Sequence, residues 1–120
     1  MKIIVTTTGP DLEAAVDPRF GRAPFFLITD PETMTWQAHP NPAAEAFGGA
    51  GTQAAQFVAS QQAQAVISGA FGPNAFQALR AANVEMYLYA GSDSARQAIE
   101  LYRAGKLSPA STPTGPGRRG

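Results

Sequence analysis

A chain of 120 residues in which nine Lys and Arg balance nine Asp and Glu has room for one core and no net field to draw it to nucleic acid or an anionic membrane. It has no cysteine and a single histidine, His39. That excludes disulfides, thiolate ligands, a covalently anchored iron–sulfur cluster and a cysteine nucleophile, and it leaves too few imidazoles for a conventional zinc site.

The opening MKIIVTTTG carries one positive charge and a short apolar run, too brief for a secretory signal, and no later stretch reaches membrane-spanning length. A cytoplasmic protein is expected. Residues 3–8, IIVTTT, are apolar and β-branched and end at Gly9-Pro10, the pattern of a strand buried on both faces. After the loop DPRFGRA comes PFFLITD (24–30), then the turn residues DPET, then MTWQAHP (34–40), which alternates like a half-buried edge strand and completes a hairpin.

From Ala50 the positions Ala50, Ala54, Phe57 and Val58 follow helical spacing, predicting a first helix to about Gln62. AQAVISGAF (63–71) reads as a second buried strand. Pro73 then stands near the first turn of a second helix carrying Ala75, Phe76, Leu79 and Ala82, closed by Asn83 in the left-handed conformation. VEMYLYA (84–90) is a third core strand; Ser92 or Asp93 is placed to cap a third helix with Ala95, Ala98, Ile99 and Tyr102 inward, ended by Gly105. Beyond residue 107, LSPASTPTGPGRRG has almost nothing to bury, so 108–120 is expected to be a disordered tail on a single 1–107 domain.

Right-handed crossovers on the last two units give an α/β fold: a five-stranded mixed sheet in order 3-2-1-4-5, strand 2 antiparallel, flanked by three helices. Ligands of such sheets sit at the carboxyl ends of the parallel strands. Thr7, Thr8 and Gly9 leave the first strand there, and Gly72, Pro73, Asn74 and Ala75 leave the fourth into a helix start. Gly48, Gly49, Ala50, Gly51 and Thr52 open the first helix near the same rim. Helix N-termini present unpaired N–H groups and the positive end of a dipole, so these segments suit an anion. Arg19 and Arg22 would add mobile charge, Gly21 a sharp bend and Phe20 an apolar wall, a combination better matched to a bulky, soft anion than to phosphate.

Each piece also has a plain structural reading: the glycines as a loop and cap, GPNA as helix initiation, the arginines as solvated charge, Phe20 as core. Their concurrence is what points to a site. His39, the one imidazole a metal could use, reads as an ordinary edge-strand histidine and Trp36 as a half-exposed aromatic. A phosphodiester-cleaving centre would want carboxylates over the sheet, and the strands IIVTTT, AVIS and MYLY hold none. Asp11, Glu13 and Asp17 share a loop but read as solvation.

The segments DPRFGRAPFFLI, NPAAEAFGGAGTQAAQFVA and GPNAFQALRAANVEMY, in this order, resemble the dinitrogenase iron–molybdenum cofactor biosynthesis family over residues 1–107. That family includes carrier and storage proteins of nitrogenase assembly and the small orange proteins. The resemblance implies a ribonuclease H-like fold, no catalysis, and noncovalent binding of a metal–sulfide cluster: molybdenum–copper sulfide in the orange proteins, iron–molybdenum in the nitrogenase proteins. A cluster donor or acceptor protein is the implied partner, with a monomer expected. Nitrogenase-associated members commonly have His-Phe-Gly-Arg where this chain has Arg19-Phe20-Gly21-Arg22. Arginine stays protonated and cannot ligate metal as imidazole does, but it can pair with sulfido or oxo groups. The reading is therefore an orange-protein-like carrier of an anionic molybdenum–copper sulfide held by charge, backbone N–H groups and apolar walls. The alternative is an accessory factor of iron–molybdenum cofactor assembly; from other classes come a ribonuclease H-like nuclease and a protein–protein adaptor.

Overall fold

The structure, a computed structural model, describes residues 1–45, 48–89, 91 and 93–113. The elements in chain order are β1 (Ile3–Thr7), β2 (Phe25–Asp30), β3 (Thr35–Pro40), α1 (Ala50–Ser60), β4 (Ala65–Ser68), α2 (Pro73–Ala81), β5 (Glu85–Leu88), α3 (Ala95–Arg103) and β6 (Ser108–Pro109). They form one sheet in the order β3-β2-β1-β4-β5-β6. β1 runs parallel to β4, and β4 to β5, while β2, β3 and β6 pair antiparallel with their neighbours.

Every residue of β1 and β4 is buried because the sheet is covered on both faces. Ile4, Phe26, Val66 and Met86 pack with Ala54, Val58, Phe76 and Leu79 of α1 and α2. Ile3, Val5, Leu27 and Ile67 pack with Leu12, Val16, Ala98 and Ile99, from the loop after β1 and from α3. Each such buried aliphatic side chain contributes about 1.5–3 kcal/mol, so the alternation of IIV and AVI between two apolar layers holds the sheet centre.

The order of the first five strands is as the sequence implies, but the sheet has six. β6 pairs Ser108 with Leu88 and Pro109 with Tyr87, and Ala110 donates its N–H to the Met86 carbonyl at 2.9 Å. The expected tail thus begins with paired backbone: β6 covers the outer edge of β5, whose N–H and C=O groups would otherwise face solvent. The expectation of disorder for 114–120 lies outside the described residues.

Helix ends show two further corrections. The cap of α3 is Ser94, which accepts a hydrogen bond from the Gln97 N–H. Asp93 instead accepts the Tyr89 hydroxyl at 2.9 Å, and Ser92 lies outside the described residues. Ala82 is exposed at the C-terminal cap of α2 rather than inward, because the chain leaves the helix there; Asn83 does turn left-handed, at φ 62°. Gly105 likewise ends α3 at φ 71°.

Candidate functional site

β1 and β4 end side by side, and the loop that follows β1 returns across them. Gly69, the first residue after β4, lies so close to this loop that a Cβ would come within 2.6 Å of the Pro18 Cα. Only glycine fits the crossing. Arg19 then bridges Ala70 in parallel fashion, which seats residues 19–22 over the carboxyl end of β4. Below them the Thr6 hydroxyl lies 2.8 Å from both the Asp17 carbonyl oxygen and the Ser68 hydroxyl, a buried knot that pins the loop to both strands.

From the other side the loop is held by Asn41. Its Nδ2 donates to the carbonyls of Gly21 at 3.1 Å and Ala23 at 2.9 Å, and its Oδ1 accepts the Ala43 N–H at 2.9 Å. The Arg22 guanidinium donates to the Ala44 carbonyl at 3.1 Å. The resulting turn presses against the helices: a Cβ on Gly21 would stand 3.0 Å from the Gly51 nitrogen, and one on Gly51 would stand 3.2 Å from the Ala75 Cβ. Gly21, Gly51 and Ala75 thereby bring the 19–22 turn, the start of α1 and the start of α2 into one line of contact.

A cleft of about 300 Å³ opens at this junction, lined by Arg19, Phe20, Gly21, Arg22, Ala50, Gly51, Ala70, Gly72, Pro73, Asn74 and Ala75. Its lining includes two arginines and no acidic residue. Neither helix N-terminus there has a side-chain cap or an acidic residue in its first turn. The first intrahelical bonds run from Gln53 N–H to Gly49 O and from Phe76 N–H to Gly72 O, both at 2.9 Å. The amides of Ala50, Gly51 and Thr52, and of Asn74 and Ala75, therefore precede the helical ladders and have no intrahelical acceptor. Two dipole ends meet at one cavity.

Gly72 is the most telling lining residue. Its φ of −68° and ψ of 172° suit any amino acid, and a Cβ there would meet nothing within 4 Å. Neither backbone geometry nor packing requires glycine, whereas any side chain would project into free space at the cleft.

The charge at the mouth is not the mobile pair that the sequence suggests. Arg19 donates from Nε to Asp17 Oδ1 at 3.1 Å and from Nη2 to Oδ2 at 3.0 Å, and its backbone N–H donates to Oδ1 at 2.8 Å. Asp17 is buried, with its side chain 3% exposed against 53% for that of Arg19. The hydrogen bond and the charge of Asp17 raise the Arg19 pKa above its ordinary value. Phe20 lines the cleft and buries its ring against Phe26 and Phe71 at centroid distances of 5.8 and 5.4 Å.

Six expected residues do not line the cavity. Thr7 is buried, with its hydroxyl on the Gly9 carbonyl at 2.7 Å, and Thr8 donates its N–H to Ala15. Thr7 ends β1, paired with Phe25, and Thr8 and Gly9 lead into the loop that packs on the start of α3, where Ala95 and Arg96 donate to the Ala14 and Leu12 carbonyls. Gly48 is exposed, Gly49 is the left-handed cap of α1 at φ 71°, and Thr52 sits in the first turn outside the lining. Gly48, Gly49 and Thr52 flank the lining residues Ala50 and Gly51 in sequence without lining the cavity themselves. His39 packs its ring at a tilt against Phe57, with centroids 4.6 Å apart, and approaches the Pro40 carbonyl through Nδ1, apart from the cleft residues. Among the described residues no group of three or more His, Cys, Asp or Glu is placed to hold a metal ion. Glu13 pairs with Arg96 at 2.7 Å, so the loop carboxylates Asp11, Glu13 and Asp17 serve separate purposes.

Asp17 and Asn41 are the site-forming residues that the sequence reading left out. The cue for both is an Asp or Asn directly before a proline, at Asp17-Pro18 and Asn41-Pro42, where a short side chain can bond the backbone two residues on.

Residues 1–105 match the family model described as dinitrogenase iron-molybdenum cofactor. The chain belongs to this family. The apo form of the orange protein from Desulfovibrio gigas is similar at 38% identity, with 95% of this chain and 96% of that one covered and a TM-score of 0.90. A putative NifB protein from Thermotoga is similar at 31% identity, covering 97% of this chain and 98% of that one with a TM-score of 0.82. No curated protein matches the chain. The family's match spans the whole cleft, from the 19–22 turn to the start of α2.

Proposed function

We propose that this family member binds an anionic, molybdenum-containing metal–sulfide cluster noncovalently and carries it without catalysing a reaction. The cleft between the 19–22 turn and the N-termini of α1 and α2 is the seat. The observation that carries this reading is the meeting of two uncapped helix N-termini at a cavity whose lining has no acidic side chain. The donor set fits a cluster that arrives with its own sulfides: backbone amides and guanidinium donors, apolar walls from Phe20, Ala50, Ala70, Pro73 and Ala75, and no thiol to displace them. Gly72 adds an opening that a side chain would fill.

A molybdenum–copper sulfide is the favoured cargo. The similarity to the orange protein supports it, and so does Arg19, which stands where the resemblance gives nitrogenase-associated members a histidine and which is engaged with Asp17. Accessory service in iron–molybdenum cofactor assembly is the second reading, favoured by the likeness to the putative NifB protein. In either case a donor or acceptor protein would meet the cleft mouth, and the carrier would work as a cytoplasmic monomer. Among the described residues no helix is long and apolar enough to cross a membrane.

The test is an anaerobic titration of purified protein with tetrathiomolybdate, with and without copper. Saturable colour retained through desalting, and strengthened by copper, is the expected result. Colour lost on desalting under both conditions would overturn the thiomolybdate reading.

A further inference from the structure

The pairing of Arg19 with a buried carboxylate is an odd feature for an anion site. A guanidinium offered only as positive charge would gain nothing from a neutralising partner beneath it. Yet three donors of Arg19, its backbone N–H, Nε and Nη2, converge on Asp17, and Asp17 is fixed from the backbone side by its N–H to the Thr6 carbonyl at 2.9 Å.

We propose that Asp17 is a positioning residue that sets the anion specificity of the cleft: it cancels the charge of Arg19 while holding the guanidinium as a rigid hydrogen-bond donor at the mouth. This rests on the cluster-binding reading and adds a selectivity that the reading does not contain. A guanidinium has five N–H donors, and the side-chain contacts to Asp17 use those on Nε and one on Nη2. The remaining donors stay available with their direction fixed.

The consequence follows from hydration. A compact oxoanion is strongly hydrated and enters a partly apolar cavity only when full charges and many hydrogen bonds replace its water. A thioanion of equal charge is larger and more polarisable, holds water less tightly, and gains contact with apolar walls. A cleft with one arginine neutralised and with Phe20, Ala50, Ala70, Pro73 and Ala75 in its lining discriminates for the thioanion and against molybdate, sulfate and phosphate. Those oxoanions are the abundant competitors that a carrier of a scarce cluster has to exclude.

Tetrathiomolybdate and molybdate are the probes, since they share shape and formal charge and differ in sulfur against oxygen. Their affinities are measured for the wild type, Asp17→Asn, Arg19→Gln and the double variant, with urea unfolding of each to confirm folding. The wild type is expected to prefer the thioanion. Asp17→Asn unmasks the arginine and lowers the thioanion-to-oxoanion preference by about threefold, the size of one charge at a half-exposed position. Arg19→Gln leaves the carboxylate alone and raises that preference. The double variant, neutral again, returns it to within about twofold of wild type, a rescue that a purely structural role for Asp17 would not produce. Because the two single variants move the ratio in opposite directions, either one that folds suffices. An unchanged ratio in the folded single variants, with thiomolybdate binding intact, overturns the role of Asp17 alone. Failure of the wild type to bind thiomolybdate removes the cluster reading and this inference with it.

Discussion

Replacing Gly72 by aspartate should make the protein more stable and a worse anion binder at once. The residue already has the extended backbone of a helix N-cap, φ −68° and ψ 172°, and it lacks a capping side chain. A carboxylate there can accept the N–H of Asn74 or Ala75. The gain over glycine is a few tenths of a kcal/mol for the cap, about 0.3–1 kcal/mol for a negative charge at the dipole end and about 0.4–1 kcal/mol from a less flexible unfolded chain. No strain offsets these terms, because a Cβ meets nothing within 4 Å. A net stabilisation of about 1 kcal/mol, or roughly 3–5 °C in Tm for a domain of this size, is expected. Binding moves the other way. The new carboxylate occupies amides of residues that line the cleft and sets a like charge against the ligand; at about 5 Å and an effective dielectric constant near 20, that repulsion is about 3 kcal/mol per unit charge before solvent screening. Even a third of it is a loss of about fivefold, and tenfold or more is expected once the lost amides are included. Urea unfolding gives the first quantity and thiomolybdate titration the second, with Gly72→Ala as the uncharged comparison. A stabilised Gly72→Asp protein with wild-type affinity would refute the role of the α2 N-terminus, and a destabilised one would refute the capping argument.

Other perturbations separate the charge of the cleft from its scaffold. Arg19→Ala should cost about 1–2 kcal/mol of stability, discounted for the half-exposed arginine, because it leaves the buried Asp17 carboxylate without its partner; urea midpoints matching the wild type would show that Asp17 finds another counter-charge. Asn41→Ala removes one donor to Gly21 of the 19–22 turn, one to the adjoining Ala23 and one acceptor for Ala43. A loss of about 2–3 kcal/mol is expected, with weaker thiomolybdate binding as the turn loosens, whereas an unchanged midpoint would mean that water replaces the amide. Truncation after Leu107 deletes β6 and should cost roughly 1–2 kcal/mol, while truncation after Pro113 keeps β6 and should unfold at the wild-type urea concentration. Equal midpoints for the two truncations would refute a stabilising role for β6.

The central strands were legible because burial on both faces writes itself into sequence: IIV and AVI are unbroken apolar runs, and the helices between them repeat at helical spacing. Turn chemistry placed Asn83 and Gly105 correctly for the same local reason. β6 was invisible because two exposed residues, Ser108 and Pro109, pair through backbone alone and leave no side-chain pattern. In the cleft, the 19–22 turn and the starts of both helices were readable from their glycines and prolines. The departure of Thr8 and Gly9 was not, since it depends on residues 12–15 docking on α3, a contact made across some 80 positions of sequence. The masking of Arg19 was missed for a subtler reason: a carboxylate two residues away reads as solvation until its burial is known.

The most direct test of cluster binding in this cleft is an anaerobic backbone-amide NMR titration with tetrathiomolybdate and copper. The account predicts saturable shifts concentrated at residues 19–22, 50–52 and 70–75, with 7–9 and His39 largely unmoved. Shifts centred elsewhere, or none at ligand concentrations that colour the protein, would contradict it.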